Sequence, residues 1–257
     1  MQLVILAGGR GTRISEESFL KPKPLIEIGN MPIIWHIMKY YSFFGINNFI
    51  ICGGYKCDLL KDFFFDYLNY QSDIEINFKK NFKKNLSKNK LSWKVTIADT
   101  GSETMTGGRI KRIQKYIKGN SFCLTYGDGL SNVNLKKLIN FHKKHKKLAT
   151  VTAVQPKGKF GAIKLENDYV KNFNEKPQGD GYWKNGGFFV LRKEIFSYIT
   201  NDSTIWENDP LKNLSKKKQL KVFKHNDFWQ PMDTLNDKII LENLWKSEKA
   251  PWKIWND

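Results

Sequence analysis

The sequence contains no long apolar run. A helix that crosses a membrane needs about 20 predominantly apolar residues, and the apolar stretch at the N-terminus covers only residues 2–7. Two glycines and an arginine follow that stretch at once, which is not the pattern of a secretory leader. These absences argue against an integral membrane protein and a secreted one. They predict a cytoplasmic location without membrane contact.

Cysteine is also scarce. The chain has 3 cysteines, Cys52, Cys57 and Cys123, and no pair has the two-residue spacing of a zinc or redox motif. We therefore predict buried free thiols in a reducing compartment.

Arginine is rare, although the chain is strongly basic with a net charge of +18. Only five of the 43 basic residues are arginine, and the lysines are dispersed along the chain. Proteins that read nucleic acid usually cluster basic groups and use arginine on base edges. The composition therefore disfavours a nucleic-acid-binding protein, while a positive field would speed the capture of small anions.

What the sequence does contain is an alternation of strand and helix patterns. With 257 residues and 40% hydrophobic residues, the chain is long enough for one larger domain with a packed core. The alternation predicts an α/β fold with a mixed, mostly parallel central sheet and helices on both faces. Strands are predicted at 3–7, 48–52, 121–126 and 149–154, and helices at 31–44, 58–68 and 135–145.

After residue 155 the pattern changes to short strands. Those predicted at 160–165, 169–174 and 187–191 suggest a small antiparallel addition that carries the sugar side of a site. The lysine- and asparagine-rich stretch 79–90 is interpreted as a solvent-facing loop or an arm that contacts another copy. We accordingly divide the single domain 1–257 into a nucleotide-binding core at 1–155, a sugar-phosphate-binding part at 156–235, and a C-terminal helix and tail at 236–257.

A glycine-rich basic loop directly follows the first strand. Gly8, Gly9 and Gly11 allow the backbone to approach a ligand closely, and Arg13 can form a fork onto phosphate oxygens. The loop lacks the Gly-Lys-Ser/Thr ending of a P-loop and the third glycine of a dinucleotide fingerprint. It fits a nucleoside triphosphate, and Lys23, between two prolines, is suited to a point charge aimed at the α-phosphate.

Carboxylates and amides follow further along the chain. Asp128 lies between glycines after a buried strand, and with Asp233 it could complete an octahedral Mg²⁺ site. An N-cap role is the alternative for Asp233. Glu175 and Lys176 could bind the hydroxyls and the phosphate of a sugar phosphate, and Asn185 with Gly186 could form a wall of its pocket.

The combination of Gly8-Gly9-Arg10-Gly11-Thr12-Arg13 with Lys21-Pro22-Lys23-Pro24 resembles the signature of the sugar nucleotidyltransferases. Four further blocks resemble the glucose-1-phosphate cytidylyltransferase family more closely: residues 23–29, residues 35–39, residues 99–101 with 104–112, and Phe-Trp-Gln-Pro-Met-Asp-Thr-Leu at 228–235. That family makes CDP-glucose and pyrophosphate from CTP and glucose 1-phosphate with Mg²⁺, on a Rossmann-like nucleotidyltransferase fold. Its members form homo-oligomers, including hexamers, and serve polysaccharide (O-antigen) biosynthesis.

The resemblance implies a role for each matching residue. The nucleotide would be bound by Leu6, Ala7, Gly8, Gly9, Arg10, Gly11, Thr12, Arg13, Lys23, Thr104, Arg109 and Gly127. Arg13, Lys23 and Asp128 would act in catalysis, and Asp128 and Asp233 would bind the metal. Glu175 and Lys176 would bind the sugar phosphate.

Three departures from the family pattern leave the oligomer contacts and the sugar open. The composition of residues 79–91 differs, Lys159 stands where arginine is common, and Asn236 replaces a usual arginine. The last two lie near the expected sugar side, so the alternative function is the same reaction with a different sugar 1-phosphate. UTP or dTTP is also an alternative, because the residue chemistry alone does not select cytosine. The presence of Arg13, Lys23 and Asp128 argues against a catalytically dead homologue.

Overall fold

The computed structural model describes residues 1–14, 19–70, 72–86, 91–156, 162–174 and 182–256. The strands in these ranges are β1 Gln2–Leu6, β2 Glu27–Ile28, β3 Met31–Pro32, β4 Asn48–Gly53, β5 Ile74–Asn77, β6 Phe82–Asn85, β7 Lys94–Asp99, β8 Ser121–Tyr126, β9 Gly129–Ser131, β10 Ala149–Val154, β11 Ala162–Glu166, β12 Tyr169–Asn174, β13 Lys184–Arg192, β14 Leu220–His225 and β15 Trp229–Pro231.

The helices in the same ranges are α1 Ile33–Phe43, α2 Cys57–Tyr70, α3 Thr106–Arg112, α4 Leu135–His145, α5 Asp209–Lys216 and α6 Leu235–Lys246. Short 3-10 turns lie at Thr12–Ile14, Lys23–Leu25, Gln114–Tyr116 and Lys193–Tyr198. Among the helices in the described ranges, none combines the length and apolar character that a bilayer span needs.

A seven-stranded sheet in the order β14-β10-β13-β8-β1-β4-β7 forms the centre of the molecule. β13 runs antiparallel to both of its neighbours, and all the other pairs in this sheet are parallel. Side chains of β1 alternate between two apolar clusters: Leu3 and Ile5 pack with α1, and Val4 and Leu6 pack with Ile110 of α3. Helices therefore cover both faces, as the sequence predicts for this fold class.

Two predictions, one for residues 187–191 and one for residues 79–90, are wrong in part. The run predicted at 187–191 belongs to β13, a central strand of the main sheet, while β11 and β12 form a separate antiparallel hairpin. The run Phe188–Leu191 is buried on both faces, and such a run reads the same whether its neighbours are parallel or antiparallel. Within the stretch 79–90, residues 82–85 form β6, which pairs with β5, and residues 87–90 lie outside the described ranges.

The C-terminal segment packs onto α1 through aromatic rings. Trp252 and Trp255 are buried, and the rings of Trp245 and Trp252 meet the His36 ring edge-on. His36 Nε2 donates to the Ile28 carbonyl at 2.8 Å, while Nδ1 accepts from Trp252 Nε1 at 3.3 Å. Burial lowers the pKa of His36 to about 4, so the imidazole is neutral in the folded protein at neutral pH.

All three cysteines are buried and free, as predicted. Burial raises the pKa of Cys52 and of Cys123 to about 12. These thiols therefore contribute to packing rather than to nucleophilic chemistry.

Candidate active site

Two loops meet at the carboxyl ends of the neighbouring parallel strands β1 and β8. Leu6 and Tyr126 are paired at the ends of these strands, and the Gly127 amide donates to the Leu6 carbonyl at 2.9 Å. The glycine-rich loop follows Leu6, and Gly127-Asp128 follows Tyr126. The carboxyl edge of a parallel sheet is where ligands bind in folds of this kind.

The first cavity at this edge has a volume of about 360 Å³. Its lining includes most of the residues that the sequence predicts for nucleotide binding: Leu6, Ala7, Gly8, Gly9, Gly11, Thr12, Lys23, Thr104, Arg109 and Gly127. Arg10 is not in the lining, because its exposed side chain forms an ion pair with Glu103. The backbone of Arg13 belongs to the 3-10 turn after the loop, and its side chain lies outside the described part of the structure.

Arg109 is a buried side chain that holds several loops together. Its guanidinium donates at 2.7–3.2 Å to five oxygens: the carbonyls of Gly8, Gly53, Gly101 and Ser102, and the hydroxyl of Thr100. A Cβ at Gly8 or at Gly54 would lie 2.2 Å from Nη1. Arg109 thus lines the nucleotide cavity as expected, yet its hydrogen bonds fix the shape of the loops, and Gly8 is needed as much for this guanidinium as for a ligand.

Lys23 occupies the centre of the site. Its Nζ donates to Asp128 Oδ2 at 2.6 Å and to Asp233 Oδ1 at 2.7 Å, and only 8% of the residue is exposed. The sequence suggests an extended segment around Lys23. Instead, Pro22 is extended and Lys23 opens a 3-10 turn, which directs the lysine inward.

Asp233 is held by the start of α6. The N-cap of that helix is Thr234, in a capping box with Asp237, so the alternative of Asp233 as the N-cap is not realised. Asp237 Oδ2 accepts from the backbone amides of Asp233 at 3.1 Å and Thr234 at 2.9 Å. The cap therefore fixes the backbone that carries Asp233.

The two carboxylates are suited to a divalent cation. Asp128 and Asp233 reach one ammonium group, so their oxygens converge on one region, and their side chains are 28% and 24% exposed. Within the described residues no group of three or more His, Cys, Asp or Glu side chains is arranged to hold a metal. Mg²⁺ needs few protein ligands when phosphates and waters complete its shell, so the donor set fits that ion together with a nucleotide.

A second cavity of about 280 Å³ adjoins the first. Asp128 and Tyr126 line both cavities, and Asp233 lines the second. The predicted sugar-side residues Asn185 and Gly186 are also in its lining. Glu175 and Lys176 lie outside the described residues, as does Lys159.

Tyr126 and Glu207 are functional candidates that the sequence reasoning missed. The Tyr126 hydroxyl donates to Glu207 Oε1 at 2.5 Å and accepts from Asn185 Nδ2 at 3.1 Å. Burial, followed by the Glu207 charge, raises the pKa of Tyr126 above its ordinary value. Tyr126 directly precedes the Gly-Asp-Gly motif and could have been included with it, whereas Glu207 stands in no motif.

The comparisons with known proteins agree with this geometry. The nucleotidyl transferase family model matches residues 2–237. The chain belongs to the nucleotidyl transferase family. Membership confirms the expectation of an enzyme and of a nucleotidyltransferase fold.

Individual relatives refine the position within the family. The glucose-1-phosphate cytidylyltransferase of Salmonella typhi is 50% identical over 256 residues, which cover 99% of this chain and 100% of the relative. A mannose-1-phosphate guanyltransferase of Saccharomyces cerevisiae is 27% identical, over 99% of this chain and 68% of the relative. The structure of a UDP-glucose pyrophosphorylase complexed with UDP-glucose superposes with a TM-score of 0.68 at 17% identity, covering 96% of this chain and 98% of that one. The similarity to glucose-1-phosphate cytidylyltransferases inferred from the motifs is thereby confirmed.

Proposed function

We propose that this nucleotidyltransferase transfers the cytidylyl group of CTP to glucose 1-phosphate and releases CDP-glucose and pyrophosphate. The observation that carries the proposal is the pair of adjoining cavities that share Asp128, with the Lys23 ammonium at their boundary. Two polyanionic substrates need two compartments that meet at a cationic centre. The choice of cytosine and glucose is supported by the 50% identity to a glucose-1-phosphate cytidylyltransferase over nearly the whole chain.

The reaction needs no protein nucleophile. An oxygen of the sugar phosphate attacks the α-phosphorus of CTP, a new phosphorus–oxygen bond forms, and the bond to the bridging oxygen breaks. Pyrophosphate leaves with that electron pair, so atoms and charges balance. The protein has to orient the two phosphates and stabilise the negative charge that develops.

Individual residues take distinct parts in this proposal. Gly9 and Gly11, with Thr12, would form the cradle for the triphosphate, and Arg13 would bind its outer phosphates. Lys23, buried at the boundary of the cavities, would stabilise charge on the α-phosphate in the transition state. Asn185 and Gly186 would contact the sugar.

Asp128 and Asp233 would hold Mg²⁺ with the triphosphate. The ion would neutralise charge on the phosphates, which is the usual role of Mg²⁺ in nucleotidyl transfer. Support comes from the convergence of the two carboxylates on one ammonium at 2.6 and 2.7 Å.

A different sugar 1-phosphate, or UTP or dTTP, remains the second candidate. Asn236, one of the departures that raised it, is an exposed residue in the first turn of α6 and is not in the lining of the sugar cavity. That location weakens the reason for expecting another sugar.

Product analysis tests the proposal. The purified protein is incubated with CTP, glucose 1-phosphate and Mg²⁺, and the products are identified by ³¹P NMR and mass spectrometry. We expect CDP-glucose and pyrophosphate in equal amounts, with no exchange of labelled pyrophosphate into CTP when the sugar phosphate is omitted. Exchange without sugar phosphate would indicate a covalent nucleotidyl-enzyme and contradict direct attack.

A further inference from the structure

A chain of hydrogen bonds crosses from the nucleotide cavity to the sugar cavity through Glu207. Glu207 Oε2 accepts from the Thr106 hydroxyl at 2.7 Å, and Thr106 lines the nucleotide cavity. Glu207 Oε1 accepts from the Tyr126 hydroxyl at 2.5 Å. The Tyr126 hydroxyl in turn accepts from the Asn185 amide at 3.1 Å, and Asn185 lines the sugar cavity.

The donor and the acceptor of every hydrogen bond in this series are determined. A carboxylate can only accept, so the Tyr126 hydroxyl proton points to Glu207 and its lone pair faces Asn185. At the other end, the backbone amide of Gly187 donates to Asn185 Oδ1 at 2.9 Å. Since a backbone N–H can only donate, Oδ1 and Nδ2 of Asn185 cannot be exchanged.

The packing around Tyr126 leaves its ring little freedom. Gly187 has φ +79°, and a Cβ there would lie 2.6 Å from Tyr126 Cδ2. The backbone of β13 therefore lies directly against the ring. Because the ring is held in place, the Tyr126 hydroxyl that Glu207 orients stays in position to accept from the Asn185 amide.

We propose that Glu207 is a positioning residue for the sugar cavity. Its carboxylate fixes the Tyr126 proton, and this keeps Asn185 oriented so that Nδ2 presents an N–H donor to a hydroxyl oxygen of the bound sugar phosphate. Of the two Nδ2 hydrogens, the described residues take one, through Tyr126, and Asn185 lines the cavity into which the other can donate. The proposal rests on the proposed function, because it assumes that the sugar occupies this cavity.

The first test measures the Michaelis constants for both substrates in Glu207→Leu and Asn185→Ala. A neutral hydrogen bond contributes about 0.5–1.5 kcal/mol, so each variant should raise KM for glucose 1-phosphate about three- to tenfold. KM for CTP should stay within about twofold. The double variant should be no worse than Asn185→Ala alone, since Glu207 acts through Asn185.

Matched variants separate this role from a loss of stability. Glu207→Gln keeps an acceptor for Tyr126 and should restore KM for the sugar phosphate. Tyr40→Phe removes a buried hydroxyl that donates to the Val133 carbonyl at 2.6 Å, away from both cavities. It should lower Tm and leave both KM values unchanged. Should Glu207→Leu fail to fold, Tyr126→Phe removes the same link and must show the same non-additivity with Asn185→Ala.

A substrate series identifies the hydroxyl that Asn185 contacts. For one monodeoxy derivative, the wild-type KM should be about three- to tenfold higher than the KM for glucose 1-phosphate. In Asn185→Ala and in Glu207→Leu, the KM for that derivative should equal the KM for glucose 1-phosphate. Additive effects in the double variant, or equal rises in both KM values, would overturn the positioning role while leaving the proposed function intact. A wild-type enzyme that does not use glucose 1-phosphate would overturn both.

Discussion

At the scale of single residues, the arrangement of Lys23, Asp128 and Asp233 decides what the site can do. One ammonium faces two carboxylates at the boundary of two cavities, and the lysine is almost fully buried. The motifs in the sequence predicted a functional role for each of these side chains. Their meeting at one point could not be read from a single sequence, because 105 residues separate Lys23 from Asp128 and 210 separate it from Asp233.

The role of Lys23 leads to a kinetic prediction. Lys23→Ala should lower kcat about 100-fold or more with little change in KM, since a charge that acts in the transition state affects the rate rather than ground-state binding. Steady-state kinetics measures both constants. Lys21→Ala is the matched control, because Lys21 is an exposed residue of the same motif and forms an ion pair with the exposed Glu27, so activity should persist. A rise in KM at unchanged kcat would contradict the role.

Asp128 leads to a prediction about the metal. Asp128→Asn should remove Mg²⁺-dependent turnover, since a neutral amide is a poor ligand for this ion and Lys23 keeps its contact with Asp233. Initial rates across a Mg²⁺ titration measure the effect, and a cooperative thermal transition shows that the fold persists. Wild-type activity in this variant would refute the metal assignment.

At the scale of elements, strand ends and helix starts bring the site together. The sequence patterns identified β1, β8, β10 and α4 closely, because buried apolar runs and helical periodicity are local signals. They missed β7 and β14, two edge strands that are only partly buried. The central position of β13 was also missed, because strand order depends on contacts between distant residues rather than on local pattern.

The start of α6 leads to a prediction at this scale. Asp237→Ala removes the capping box and the acceptor for the Asp233 amide, so we expect a loss of about 1–2 kcal/mol of stability and a lower kcat. Urea unfolding and steady-state kinetics measure the two effects. The control is Asn134→Ala, which removes the N-cap of α4 away from both cavities. This control should lower the free energy of unfolding by a similar amount and leave activity unchanged. An equal loss of kcat in both variants would refute a specific role for the α6 cap.

At the scale of the whole molecule, tryptophans from the C-terminal segment pack around His36 of α1 and keep its imidazole neutral. The Glu207–Tyr126–Asn185 link is another feature of this scale, since it joins residues 81 and 59 positions apart. Neither feature has a sequence signature, because each depends on which buried polar atoms meet after folding.

His36 predicts how stability depends on pH. Its pKa is about 4 when folded, below its ordinary value of 6.5, so between these values the unfolded chain binds more protons than the folded one. Neutral His36 therefore makes its full contribution to the free energy of unfolding above pH 6.5, and this contribution is lost as the pH falls toward 4. The total loss is on the order of 3 kcal/mol. Urea unfolding between pH 7 and pH 4 measures it, and His36→Gln should flatten the curve. Constant stability over this range would contradict the assignment.

The most direct test of the central claim is pyrophosphate release with Mg²⁺ and glucose 1-phosphate across CTP, UTP, dTTP and ATP. We expect strong turnover with CTP alone. Preference for another nucleotide would contradict the cytidylyl assignment while keeping the reaction class. The absence of release with all four nucleotides would contradict glucose 1-phosphate as the acceptor.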